Sequence, residues 1–132
     1  MDIKEFAQKF IKAEDEAWLK GNVYAFDEVE HADVVYHLTP PMPDVVGREA
    51  HKQFLMTARQ AFSEFQLEWK YLAGDGNVFA LASKSRGIFT GEIPGFPPPT
   101  GKEFTADTLM VLRLKDGKII EVWEKATFTG LG

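Results

Sequence analysis

Cysteine is absent from this 132-residue chain, which excludes disulfides, thiol nucleophiles and thiolate metal sites. Basic residues are in deficit, with 15 Lys and Arg against 20 Asp and Glu, a formal charge of -5. Without a basic tract to meet a phosphate backbone, nucleic acid is not an expected partner. No apolar run approaches the roughly 20 residues of a membrane helix. Met1-Asp-Ile-Lys-Glu5 lacks the apolar centre of a signal peptide, so no membrane association and a cytoplasmic location are expected. Repeats, flexible linkers and low-complexity segments are missing apart from Pro97-Pro98-Pro99. What the chain does have is apolar and aromatic bulk: 45% hydrophobic residues, with 11 Phe, 3 Trp and 3 Tyr. That suffices for a core within a single domain over residues 1–132, and it serves either a filled core or an apolar pocket.

Helical periodicity marks Asp2–Lys20, with Asp2 and Glu5 as a capping box and Gly21 as the stop. Its apolar stripe is Ile3, Phe6, Ala7, Phe10, Ile11, Ala17 and Trp18, and Glu14 lies within that arc. A short second helix is expected over Val23–Glu30, then a strand over Val34–Leu38 that ends at Thr39-Pro-Pro-Met-Pro43. Gly47–Phe65 reads as a third helix whose buried stripe is Phe54, Leu55, Ala58, Phe62 and Phe65. Strands follow at Gln66–Ala73, Val78–Thr90, Glu103–Leu114 and Lys118–Thr129, the last pair joined by the hairpin signal Asp116-Gly117. Helices first and antiparallel strands after them give an α+β order, with the helices roofing one face of a curved sheet.

The last strand carries the most informative residue. Ile120, Val122, Ala126 and Phe128 share one face at period two, and Glu124 sits among them. A carboxylate on the apolar side of a strand is either a paired structural acid or a proton-transfer group. Register matters here. A regular two-residue turn at Asp116-Gly117 sets Glu124 opposite Leu109, beside Asp107 and away from Thr108 and Met110. Bringing Glu124, Thr108 and Met110 into one pocket requires a β-bulge in this hairpin.

Six stretches carry a family resemblance: Ala17-Trp-Leu-Lys-Gly-Asn22, Ala32-Asp-Val-Val-Tyr-His37, Gly47-Arg-Glu-Ala50, Gly87-Ile-Phe-Thr-Gly-Glu92, Pro98-Pro-Thr-Gly-Lys102 and Asp116-Gly-Lys-Ile-Ile-Glu-Val-Trp123. In this order and spacing the chain resembles the SnoaL-like polyketide cyclases of the nuclear-transport-factor-2-like superfamily, over essentially its whole length. The resemblance implies a cone-shaped α+β fold, a curved antiparallel sheet roofed by three N-terminal helices, and a homodimer formed through the outer sheet face, where Trp123 would serve as an anchor. It implies an acid on the last strand as general acid/base, a position matched by Glu124, with Glu in place of the family's Asp. Two histidines of the cyclases fall at Met110 and Phe89. The resemblance places His37 at a pocket-lining position. It aligns Glu14 with the pocket-facing tyrosine of ketosteroid isomerases, in agreement with the helical arc.

The expected site therefore combines Glu124 as base, His37 as relay or orienting group and Glu14 as auxiliary acid, with Trp18, Phe54, Phe89, Phe96, Thr108, Met110 and Phe128 around a small hydrophobic molecule. Such chemistry on a carbonyl compound (an isomerase, cyclase or lyase reaction) needs neither metal nor organic cofactor. The alternative is a non-catalytic module that binds a hydrophobic ligand or dimerises. His31 and His51 read as structural, and Arg86 with Asp107 forms a further acid–arginine candidate. The Glu92–Thr100 loop reads as a stiff crossover or a lid carrying Phe96.

Overall fold

The computed structural model describes residues 2–131. Helix α1 (Ile3–Lys20) starts where Asp2 Oδ1 accepts the Glu5 N–H at 2.8 Å and stops at Gly21. Gly21 adopts φ 75°, a left-handed conformation, and its N–H bonds back to Ala17 O. The second helix is only a 3-10 segment, Val23–Glu28. It is cut short because Glu30 already belongs to strand β1 (Glu30–His37), four residues earlier than the apolar run suggested. A two-residue strand, β2 (Val45–Val46), pairs with β1, and helix α2 spans Arg48–Gln60. Phe62 and Phe65 are therefore not on the third helix but on strand β3 (Phe62–Asp75), where aromatic propensity and the pairing of Phe62 with Phe89 and Ser63 with Ile88 prevail over the helical spacing.

Strands β4 (Val78–Phe89), β5 (Glu103–Lys115) and β6 (Lys118–Thr129) complete a six-stranded curved sheet in the order β2-β1-β6-β5-β4-β3. All neighbours are antiparallel except β1 and β6, which run parallel. The α+β fold roofed by N-terminal helices is thus the one expected. Its main core lies between the helices and the concave face, with Phe10, Phe26, Val34, Tyr36, Leu55, Phe79, Leu81, Leu112, Ile119 and Val122 almost fully buried. A smaller core gathers Ala61, Phe89, Ile93, Phe104 and Ala106 at the other end of the sheet. Among the described residues, no helix is long and apolar enough to cross a membrane.

The last hairpin contains the bulge on which the site depends. Asp116 (φ 55°) and Gly117 (φ 76°) form a two-residue turn with both residues left-handed, so Lys115 faces Lys118 and Leu114 faces Ile119. Arg113 then faces Glu121, which leaves Ile120 as the extra residue on β6. Ile119 and Val122 consequently both face the core, and Ile120 does not hold the buried position its spacing suggested. From Glu121 onward the register places Glu124 opposite Met110 and Ala126 opposite Thr108. The regular-turn alternative, with Glu124 beside Asp107, is excluded.

Candidate functional site

A cavity of about 140 Å³ lies between the concave sheet face and the helices. Its wall includes Trp18 from α1, Phe54 and Ala58 from α2, Phe62, Phe65, Leu67 and Trp69 from β3, Phe104 from β5 and Phe128 from β6. Two proline-bearing loops add Thr39 and Met42, and Ile93 and Phe96. These loops touch where a Cβ on Gly95 would come within 3.3 Å of Met42, so a larger residue there would force them apart. Met42 and Phe96 are half-buried. Phe96 packs against Phe128 with ring centroids 5.1 Å apart.

Three titratable side chains reach this wall: Glu14, His51 and Glu124. Among the described residues, no Lys or Arg lines it. Glu14 is buried on the inward arc of α1, one turn before Trp18. Burial, then the nearby carboxyls of Glu124 and Glu30, hold its carboxyl well above the usual range, against an opposing hydrogen bond from Trp18. Glu124 keeps some accessible area because it opens to the cavity, yet protein surrounds it. Burial pushes its carboxyl up to about 7, opposed by the His51 charge. Two carboxyls in one low-dielectric space do not both ionise cheaply, so near neutral pH the pair is poised to hold a proton.

The site residues read from the sequence divide clearly. The bulge brings Glu124, Thr108, Met110 and Phe128 to the cavity, and Glu14, Trp18, Phe54 and Phe96 line it with them. Phe89 does not line it; the ring is fully buried behind the wall, against Phe62, Phe96 and Phe104. His37 is also outside. Its neighbours Tyr36 and Leu38 point inward, so strand alternation turns His37 to the outer face. There His37 Nε2 lies 2.7 Å from Glu121, Nδ1 lies 2.9 Å from Asp44, and the ring stacks on Trp123. The hydrogen bond with Glu121 raises the imidazole pKa, with a smaller contribution from Asp44. Trp123 is partly exposed beside Val111 and Leu109 on that outer face. Arg86 and Asp107 do not pair: Arg86 meets Glu103 at 3.4 Å, and Asp107 is exposed opposite Lys84 and Thr127. His31 stays at the strand corner, its Nδ1 accepting the Asp33 N–H at 3.0 Å.

Sequence reasoning missed two residues beside the cavity. His51 is buried rather than marginal, stacked on Tyr36 with centroids 3.9 Å apart and tilted against Phe26. Its Nδ1 lies 2.9 Å from Oε2 of Glu30, which is fully buried and accepts a hydrogen bond from the Tyr36 hydroxyl. The Nδ1–Oε2 approach is short but not collinear with the ring N–H, so it is a close polar contact rather than a linear hydrogen bond. Both residues carried a signal. His51 shares the arc of Leu55 and Ala58, and Glu30 shares the parity of Val34, Tyr36 and Leu38.

The sequence profile described as SnoaL-like polyketide cyclase matches residues 8–131. No curated protein matches the chain. Several hundred solved chains do, and three illustrate the range. TsrD from Streptomyces laurentii is 19% identical with TM-score 0.81, over 96% of this chain and 90% of that one. A SnoaL-like protein from Jannaschia sp. CCS1 is 18% identical with TM-score 0.79, over 93% and 85%. Wild-type IdmH from Streptomyces antibioticus is 25% identical with TM-score 0.70, over 92% and 91%.

Proposed function

Because the chain belongs to the SnoaL-like polyketide cyclase family, we propose that its cavity is the site of a cofactor-free general acid/base enzyme acting on a small hydrophobic carbonyl compound. The observation that carries this reading is the placing of Glu124 and Glu14 on one aromatic wall, the first carboxyl pushed up to about 7 and the second held well above the usual carboxylate range. A carboxyl titrating near 7 combines a usable ionised fraction with the basicity that a carbon acid demands. Glu124 is the base that removes a proton next to the carbonyl. Glu14, still protonated, donates to the oxygen as negative charge builds on it. The wall carries no Lys or Arg to hold an anion, which favours an uncharged substrate. The role assigned to His37 from the family position is withdrawn, since that side chain lies on the other side of the sheet.

Base strength in an apolar cavity is measurable without the natural substrate. In 5-nitrobenzisoxazole, removal of the C3 proton breaks the N–O bond and releases a cyanophenolate, with no co-reactant. The protein should open this ring with kcat/KM rising with pH to a plateau, half-maximal near 7. Glu124→Gln should lose about 100-fold or more. A wild-type protein that is inert, or a variant that keeps its rate, contradicts the reading. The second reading, a non-catalytic module for a hydrophobic ligand, is favoured by Met110 directly opposite Glu124, where the cyclases carry a histidine. Ligand binding with no turnover in either protein would select it.

A further inference from the structure

Behind the cavity wall lies a group of polar side chains that no hydrophobic core needs. Glu30 is fully buried at the start of β1. The Tyr36 hydroxyl, six residues along the same strand, donates to its Oε2. The same oxygen lies 2.9 Å from His51 Nδ1. Tyr36 and His51 are stacked nearly parallel, 16° apart, and Phe26 closes the other side of the imidazole. The ring is therefore fixed in place and in rotation. Oε1 of Glu30 has no hydrogen-bond partner among the described residues and is sealed from solvent, so the contacts of this carboxylate are made through Oε2, with Tyr36 and His51.

Neither Glu30 nor Tyr36 is part of the cavity wall, whereas His51 is. With Nδ1 against Glu30, the remaining ring nitrogen is Nε2, and it is neither sealed nor hydrogen-bonded among the described residues. The titratable groups around this imidazole are Glu30 and Tyr36 on β1, Glu14 on α1 and Glu124 on β6. A carboxylate beside one imidazole nitrogen favours the proton there by charge attraction even without a linear hydrogen bond, leaves a lone pair on the other and stabilises the imidazolium when it forms.

Building on the acid/base reading, we propose that His51 is the proton relay of this cavity and that Glu30 is its positioning residue, Tyr36 in turn holding Glu30. His51 Nε2 takes up the proton that Glu124 has removed from carbon and returns it, and Glu30 keeps the neutral ring in its Nδ1–H form. Glu30 touches no substrate. It acts entirely through the imidazole of His51, which takes the relay role that the sequence reading gave to His37.

Long-range proton–nitrogen correlations on uniformly 15N-labelled protein read the tautomer directly, with no substrate. At pH 8.5 the wild-type His51 should show Nδ1 protonated and Nε2 bare. In Glu30→Gln, an amide can donate to Nδ1, so Nε2–H should become the major form, and turnover of 5-nitrobenzisoxazole should fall about tenfold with Glu124 intact. Tyr36→Phe keeps the ring stack and removes only one donor to Glu30. It guards against misfolding of the first variant: its His51 should keep the Nδ1–H form while ring opening falls, by less than in Glu30→Gln. An Nε2–H wild type, or a tautomer unchanged in Glu30→Gln and a rate unchanged in Tyr36→Phe, overturns the relay even if the protein is active. A wild type with the expected tautomer that is inert toward 5-nitrobenzisoxazole overturns the acid/base reading instead, and the relay role with it.

Discussion

Glu124→Gln should be more stable than wild type at pH 9 by about 3 kcal/mol, while the two proteins have nearly equal stability at pH 4. The shift of this carboxyl from its ordinary 4.5 to about 7 sets the size of the effect, at roughly 1.4 kcal/mol per unit. Its sign follows from proton counting. Between those two values the native protein holds a proton that the unfolded chain has released, so wild-type stability falls as pH rises through the window. Above it, the folded protein carries the whole cost of a carboxylate in an apolar cavity. Glutamine is nearly isosteric and uncharged, so it removes that cost. It also removes the neighbouring charge that helps to raise Glu14. Urea denaturation at pH 4, 7 and 9 measures the difference. A gap independent of pH, or a variant less stable at pH 9, contradicts the assignment. Paired with the loss of ring opening, this is the signature of a residue kept for chemistry at the expense of stability.

Phe10→Ala should lose about 3–5 kcal/mol, a large part of the stability of a domain this size. Phe10 has no solvent exposure and meets the edges of Trp69 and Phe79, with centroids 6.5 and 6.3 Å away. Those contacts dock α1 on β3 and β4. Glu14 is one helical turn further on, so the seat of α1 also sets where that carboxyl enters the cavity. Guanidinium unfolding with an unchanged m-value would show the loss as stability alone. A loss under about 1.5 kcal/mol would mean that the helix settles into the gap.

Much of this architecture was legible before any coordinates. Asp2 and Gly21 bracket α1 through local hydrogen bonds, and Asp116-Gly117 fixes the last turn, because these signals act within a few residues. The inward side of Glu14 followed from helical spacing alone. Element edges decided by long-range pairing were harder. Phe62 and Phe65 continue the helical spacing of α2, yet pairing with β4 takes them into the sheet. The need for a bulge could be stated from parity, but its presence rests on how β5 and β6 pack, which no short motif encodes.

The site shows the same division. Glu124 stood out as a carboxylate among apolar neighbours, whereas Glu30 was hidden by being read as the end of a short helix. His37 entered through a family position, although the alternation of Val34, Tyr36 and Leu38 already turned it outward. His51 read as structural because it stands at the edge of the apolar stripe of its helix. Only the fold reveals that Glu30, Tyr36 and His51 meet, since they come from two elements separated by a loop.

The account rests on a carboxyl pair that stays partly protonated near neutral pH. The most direct measurement is a pH titration of the glutamate side-chain 13C carboxyl resonances in the wild-type protein, with Glu124→Gln and Glu14→Gln for assignment. The account predicts a Glu124 midpoint near 7 and a Glu14 midpoint above the ordinary carboxylate range, moving down when Glu124 is replaced. Midpoints for both below about 5, each indifferent to loss of the other, would contradict a shared desolvated site and leave the cavity without its proposed base.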